Sequence, residues 1–264
     1  MQSTQPSVAS IRLRQFLTVA AILGSFAVNA WSNISPPNGA SIGEISNTQF
    51  ADVLITPANY AFAIWGVIYL GLIGFGVYQF LQPQNQHPKL QTISYLLVAA
   101  CIAQAVWVFL FLSNLFGWSV LAMLTILVCL IWVYLQLGTC DRSPTWQEQW
   151  LLRIPFSVYL GWISVATVVN VALALYDAGW NGWGIAPEVW TVVMLVISSA
   201  LAIALLIQRR DTAFSLVIIW ALIAISVKRS SIPLIAISAI ALAIGLGLGN
   251  IRQRSWSLRR RGDR

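Results

Sequence analysis

Residues 90–113 read LQTISYLLVAACIAQAVWVFLFLS, an unbroken run from Leu90 to Ser113 without one Asp, Glu, Lys or Arg. As an α-helix rising 1.5 Å per residue, the run spans roughly 36 Å, enough to cross a hydrocarbon core about 30 Å thick. A membrane barrel strand would instead alternate apolar and polar residues over about 10 positions. A continuous apolar run therefore predicts a helix, which satisfies its own backbone groups in lipid. Seven further runs free of ionisable residues extend the pattern along the chain: Gln15–Trp31, Tyr60–Leu81, Trp118–Leu137, Ile154–Tyr176, Val189–Gln208, Thr212–Val227 and Ile232–Ile251. The fold class follows as all-α, a polytopic transmembrane helical bundle of about eight spans. Thr212–Val227 is short for a span, so either Lys228 and Arg229 snorkel to the interface or the last two runs form a hairpin that does not fully cross.

Composition agrees. Of 264 residues, 58% are hydrophobic and 9% charged, against roughly 45–50% and 25% in soluble domains. A water-soluble fold is excluded. The net charge of +7 matters through its distribution. With the amino terminus inside, every cation except Lys228 and Arg229 falls on the cytoplasmic side: Arg12, Arg14, Lys89, Arg142, Arg153, Arg209, Arg210 and the tail from Arg252 to Arg264. That positive-inside bias places both termini in the cytoplasm, with the plasma (inner) membrane as the expected location. The basic tail is read as an orientation and anionic-lipid anchor, with no nucleic-acid partner. The first run also has the look of a signal peptide, with Arg12 and Arg14 before it and Val28-Asn29-Ala30 as a small-residue cleavage site. Charge counting does not separate that reading from a retained helix.

The connecting segments are short except Ser32–Asn59, whose length suits a lid as well as a solvated linker. Ala241, Gly245 and Gly249 recur every four residues and are expected to let another helix approach closely. Cys101, Cys129 and Cys140 form no even disulfide framework.

No ionisable residue lies in the interior of any run, and His87, the sole histidine, sits in a loop beside Pro88. This argues against a proton pump built on an intramembrane carboxylate, and against axial haem ligation or a catalytic metal. There is no nucleotide-binding loop and no nucleophile elbow. No acid, base, nucleophile or metal set emerges, so an enzyme is not expected.

The interior instead carries tryptophan, 13 in all. Trp31, Trp146, Trp150, Trp180, Trp183 and Trp190 lie at or beyond run ends, as interfacial belts require. Trp65, Trp107, Trp132, Trp162 and Trp220 sit deeper, accompanied by the uncharged polar residues Tyr69, Gln104 and Asn170. Aromatic stripes usually build core. Flat π surfaces with a few hydrogen-bonding groups also suit a planar hydrophobic ligand.

At these residues the chain resembles the tryptophan-rich sensory protein or translocator protein family (TspO/MBR). Tyr159-Leu160-Gly161-Trp162-Ile163-Ser164-Val165-Ala166-Thr167-Val168-Val169-Asn170 is similar to the family's fifth-helix pattern of Tyr-Leu-x-Trp, Ala-Thr and a closing Asn. Pro57 through Tyr69, with Trp65 four residues before Tyr69, resembles the Pro-rich lead-in to its second helix. Gln104, Trp107, Phe111 and Gly117-Trp118 resemble its third helix and the start of its fourth. Gln104 stands where the family usually has Asn, Val108 and Phe109 where it has paired prolines, and Val158 where it has Pro. No Tyr precedes a Lys or Arg within five residues, so the cholesterol-contact pattern is missing.

The resemblance covers about residues 11–176 and implies a five-helix core over 1–176, with an added three-helix membrane segment over 177–251 and a basic tail over 252–264. It favours the first run as a structural helix. It implies a membrane receptor or carrier that binds a tetrapyrrole such as protoporphyrin, with Trp65, Tyr69, Trp107, Trp118, Trp162, Ala166, Val169 and Asn170 as pocket residues. A porphyrin-degrading enzyme and an uncoupled small-molecule transporter are the alternatives. No cofactor is implied beyond porphyrin as ligand; the partners are the bilayer and a hydrophobic small molecule, and a homodimer is left open. Lys228 and Arg229 either snorkel or pair with ligand carboxylates.

Overall fold

The computed structural model of the protein describes residues 7–81, 89–138 and 144–262, with side chains as far as residue 253. His87, Cys140, Arg142 and the side chains from Arg254 onward lie outside the described residues. Among those described there is no strand. The helices are α1 (Val8–Ile34), α2 (Ile42–Thr48), α3 (Ile64–Leu81), α4 (Leu90–Leu112), α5 (Phe116–Gly138), α6 (Trp146–Glu148), α7 (Ile154–Asp177), α8 (Pro187–Arg209), α9 (Thr212–Lys228) and α10 (Pro233–Gly262). A 3₁₀ turn, Asn59–Ala63, leads into α3, and a π turn, Gln149–Arg153, joins α6 to α7.

Local chemistry sets the boundaries. Ser7, Thr145 and Asp211 cap the helices that follow them, each accepting from a backbone N–H three residues on. Pro187 and Pro233 occupy first helical positions, where the missing N–H would have no partner anyway. Arg210 ends α8 in the left-handed conformation, φ 55°.

Seven helices are long and apolar enough to cross a membrane: Val8–Ile34, Asn59–Leu81, Leu90–Leu112, Phe116–Gly138, Trp146–Asp177, Pro187–Arg209 and Pro233–Gln253. The eighth apolar helix, Thr212–Lys228, has 17 residues, about 26 Å at 1.5 Å per residue. Large apolar side chains such as Leu70, Ile207, Ile237 and Ile251 point away from the protein. Soluble proteins rarely expose so much continuous apolar surface, and lipid accounts for it. This is a multi-pass integral membrane protein.

Two compact units divide the chain. The first comprises Met1–Ser41 and Trp65–Phe156, the second Ile42–Ile64 and Ser157–Arg264. In the first, α4 packs along both α1 and α5. Its polar side chains turn inward: Gln15 Nε2 donates to the Gln79 carbonyl at 2.7 Å, and Ser94 Oγ to Gln79 Oε1 at 2.8 Å. The first helix is longer than its apolar run. The helix begins at Val8, so Arg12 and Arg14 lie within it rather than ahead of it, and while Arg12 is exposed, Arg14 is only 7% exposed.

In the second unit, α10 packs against α8 and α9. The expected small-residue stripe is also shifted. Ala241 and Gly245 face outward, Gly249 approaches Leu206, and the face that packs is Ile235, Ala239, Ala243 and Leu246. Both stripes have helical spacing, and Gly content alone does not choose between them. Trp180, Trp183 and Trp190 cluster with centroids 5.5–6.0 Å apart, beyond the end of α7 and at the start of α8. That is the position an interfacial indole belt occupies.

Candidate functional site

In the first unit the candidate residues gather around Tyr69. Trp65 and Tyr69 sit one turn apart on α3, so their rings stack, 5.8 Å between centroids and 28° between planes. Phe26 meets Tyr69 edge-on at 5.1 Å. Tyr69 is 3% exposed, and its hydroxyl lies 3.2 Å from both Oγ and the carbonyl of Ser25. Cys101 on α4 is within electrostatic reach of Tyr69. One turn further along the same buried face stands Gln104, wholly enclosed, with neither its amide oxygen nor its amide nitrogen hydrogen-bonded. An amide offers two donors and an acceptor. Leaving such groups bare costs roughly 1–3 kcal/mol each. Trp107 is buried beside Phe111, 5.3 Å between centroids. Trp118 lies elsewhere, 64% exposed in the first turn of α5.

In the second unit, Trp162 is 2% exposed and meets Phe62 edge-on at 6.0 Å. Its indole Nε1 has no acceptor. Asn170, two turns on, is buried, Ala166 is half-buried, and Val169 borders a cavity of about 20 Å³ lined by Val165, Val168, Leu195, Ile218 and Leu222, with Ser198 at its edge. A single water needs about 10–15 Å³ measured this way, so the void has room for one small group and none for a macrocycle. Filling it is expected to stabilise the protein. Val169→Ile adds one methyl and should gain about 0.5–1 kcal/mol, read as a higher thermal midpoint in detergent; an unchanged or lower midpoint shows that the void is not free to be filled.

The long segment Ser32–Asn59 is structured. It contains α2, which the sequence reading did not foresee although Ser41-Ile42-Gly43-Glu44 has capping-box spacing. Its second half is fastened to the end of α9. Arg229 donates to the carbonyls of Ala51 (2.9 Å), Val53 (2.9 Å) and Leu54 (3.1 Å) and to Thr56 Oγ1 (3.3 Å). Lys228 Nζ donates to the same Thr56 hydroxyl at 2.7 Å. Ala58 N–H bonds the Ala224 carbonyl, Trp220 Nε1 bonds the Ala61 carbonyl at 3.1 Å, and Tyr176 donates to Asp52 at 3.1 Å. The two cations thus serve the chain's own loop, which fixes it in place as a strap. Trp220 is part of this attachment. Trp132, also expected to lie deep, is 53% exposed.

Lys228 stands just past the apolar run of α9, where burial and then the neighbouring Arg229 push its ammonium down to about 8 from the ordinary 10.5. Because the folded value is depressed, the attached loop carries a cost at every pH below about 8, where Lys228 is charged in both states. That cost is relieved as pH rises from about 8 to 10.5, where the folded state has lost the proton and the unfolded state still holds it. Relative to Lys228→Met, the wild-type thermal midpoint should rise across this window. Parallel profiles would remove the effect.

Fold and site together define a polytopic helical membrane protein whose buried aromatic residues are accompanied by uncharged, incompletely bonded polar groups. The family described as TSPO-like protein matches residues 15–251, and the chain belongs to that family. The match includes the fifth-helix segment that carries the resemblance and continues through the last three apolar helices. No curated protein and no solved structure matches the chain.

Proposed function

We propose that the protein is a membrane receptor or carrier for a planar hydrophobic ligand, a tetrapyrrole such as protoporphyrin. The observation that carries this reading is Gln104: a fully buried amide with no partner, on the helix face that approaches the stacked pair Trp65 and Tyr69. Buried polar groups are nearly always bonded. A ligand with a polar edge and an aromatic face would supply both the missing bond and a stacking surface. The bare indole N–H of Trp162 is a second donor of this kind, in the other unit. Family membership supports a membrane ligand-binding role; the choice of tetrapyrrole rests on the flat aromatic surface and on the resemblance.

The test is titration of the purified protein with protoporphyrin, followed by quenching of Trp fluorescence. Gln104→Leu keeps the volume and removes the amide, and should weaken binding about 10-fold, the worth of one buried hydrogen bond of about 1.4 kcal/mol. Trp65→Ala should weaken it further. Unchanged affinity in both variants overturns the assignment. Uptake of labelled porphyrin into vesicles, compared with a truncation after Tyr176, separates carriage from binding. We infer from the distribution of cations that both termini face the cytoplasm; cysteines introduced beside Arg12 and beside Lys228 should label from opposite sides.

A further inference from the structure

The first unit holds a second set of unbonded groups, away from the Trp65–Tyr69 pair. Gln15 binds the backbone of Gln79, which joins α1 to α3 at this level, and Ser94 binds the Gln79 side-chain oxygen, which joins α4. Arg14 is adjacent to Gln15 and within electrostatic reach of Tyr95, the neighbour of Ser94. Arg14, Gln15, Thr18, Gln79 and Ser94 are all buried, at one level of the first unit. Thr18 Oγ1 donates to the Arg14 carbonyl, and the single Ser94 hydroxyl proton is shared between the Leu90 carbonyl and Gln79 Oε1. Two donors remain: Arg14 Nε and Gln79 Nε2, both enclosed and both without an acceptor. No described carboxylate pairs with Arg14.

Every unsatisfied group here is a donor, and one carries a full positive charge. Arg14 Nε is enclosed without an acceptor, and the partly buried guanidinium has no described counter-charge, an arrangement that costs stability. Water would satisfy the hydrogen bonds and leave the charge. An anionic oxygen satisfies both, because charge-assisted bonds from guanidinium and amide N–H groups converge well on carboxylate or phosphate. We propose that Arg14 and Gln79 form a binding site for an oxyanion, the carboxylate or phosphate head of a membrane amphiphile. Arg14 lies on the second turn of α1, near the end of a spanning helix, the depth at which such a head sits. Arg12, two residues away and exposed, carries the same charge without the enclosure and serves as the internal control.

The experiment uses the full-length protein in a neutral detergent. Decanoate, phosphatidylglycerol, phosphatidylcholine and inorganic phosphate are added separately, and binding is followed by native mass spectrometry and by the rise in thermal midpoint. Saturable binding of decanoate or phosphatidylglycerol supports the site and tells carboxylate from phosphate head; binding of inorganic phosphate alone assigns a free ion in place of an amphiphile and overturns that part. Arg14→Gln and Gln79→Leu should each lower affinity at least 10-fold, with Arg12→Gln within about twofold. Gln79→Glu supplies a carboxylate at the proposed site from the chain itself. It should raise the midpoint of the unliganded protein and abolish the ligand-induced rise, a result that misfolding would not produce. Equal losses in Arg12→Gln and Arg14→Gln, equal binding of phosphatidylcholine and phosphatidylglycerol, or no saturable binding overturns the proposal.

Discussion

Replacing Arg229 with leucine is expected to release the segment from Ala51 to Thr56 and to lower stability by about 2–4 kcal/mol. The guanidinium is the shared donor for three backbone carbonyls and one hydroxyl. Hydrogen bonds to a charged group contribute about 1.5–3 kcal/mol each when fully enclosed, but Arg229 is half-buried and the four bonds share one side chain, so the sum is well below four times that value. Burial holds the Arg229 guanidinium below its ordinary proton affinity, though Asp52 opposes this, and it stays charged at any working pH. Lysine should not rescue it, because an ammonium cannot fan out over Ala51, Val53 and Leu54 as a planar fork does. The sensitive readout is amide hydrogen exchange: Val53 and Thr56, whose N–H groups bond Phe50 and Val53 carbonyls, should lose protection in Arg229→Leu. Retained protection there would mean that Tyr176, Trp220 and Ala58 hold the segment without it.

What the sequence could and could not disclose separates along physical lines. Spans are legible because a continuous apolar run of adequate length has few other uses, and seven of the eight appear as helices able to cross, with the short one short. Facing is not legible in an all-apolar helix. Trp107 and Trp132 looked alike in sequence; one is buried and the other 53% exposed, because helix rotation is set by neighbours and not by a polar stripe. Arg14 was read as a flanking cation, since the apolar run begins after it. The helix starts about two turns earlier, after a Ser7 cap, and carries Arg14 inward. Lys228 and Arg229 were read as snorkelling or ligand-pairing, and only the fold brings residues 51–56 beneath them, 173 positions away for Thr56 and Arg229. In the candidate site, Trp65, Tyr69 and Gln104 were singled out by type and depth, yet the bareness of Gln104 is a property of three dimensions alone.

The glycine within Tyr159-Leu160-Gly161-Trp162 supports the other large expected effect. A Cβ at Gly161 would stand 3.0 Å from Val217 Cβ, 3.3 Å from Val217 Cγ1 and 3.4 Å from the Phe214 carbonyl oxygen. A side chain there would force Val217 to give by a few tenths of an ångström, so the glycine lets α7 and α9 approach closely, the device by which helices pack without a hydrophobic driving force in lipid. Val217 does not yield cheaply, since it is 4% exposed and β-branched, whereas the Phe214 carbonyl at 3.4 Å is in ordinary contact. Gly161→Ala should cost about 1–3 kcal/mol and Gly161→Leu should exceed that range, both as lowered thermal midpoints. Trp162 is the next residue, so parting the helices also tilts its indole. The cycle that isolates the contact adds Val217→Gly, which removes the Cβ at 3.0 Å together with both methyls. If steric pressure at that side chain is the cause, Gly161→Ala with Val217→Gly should be less destabilised than the sum of the two singles, by at least about 0.5 kcal/mol. Additive losses would trace the glycine to some other need, since in a helix interior alanine is otherwise the better residue by about 1 kcal/mol.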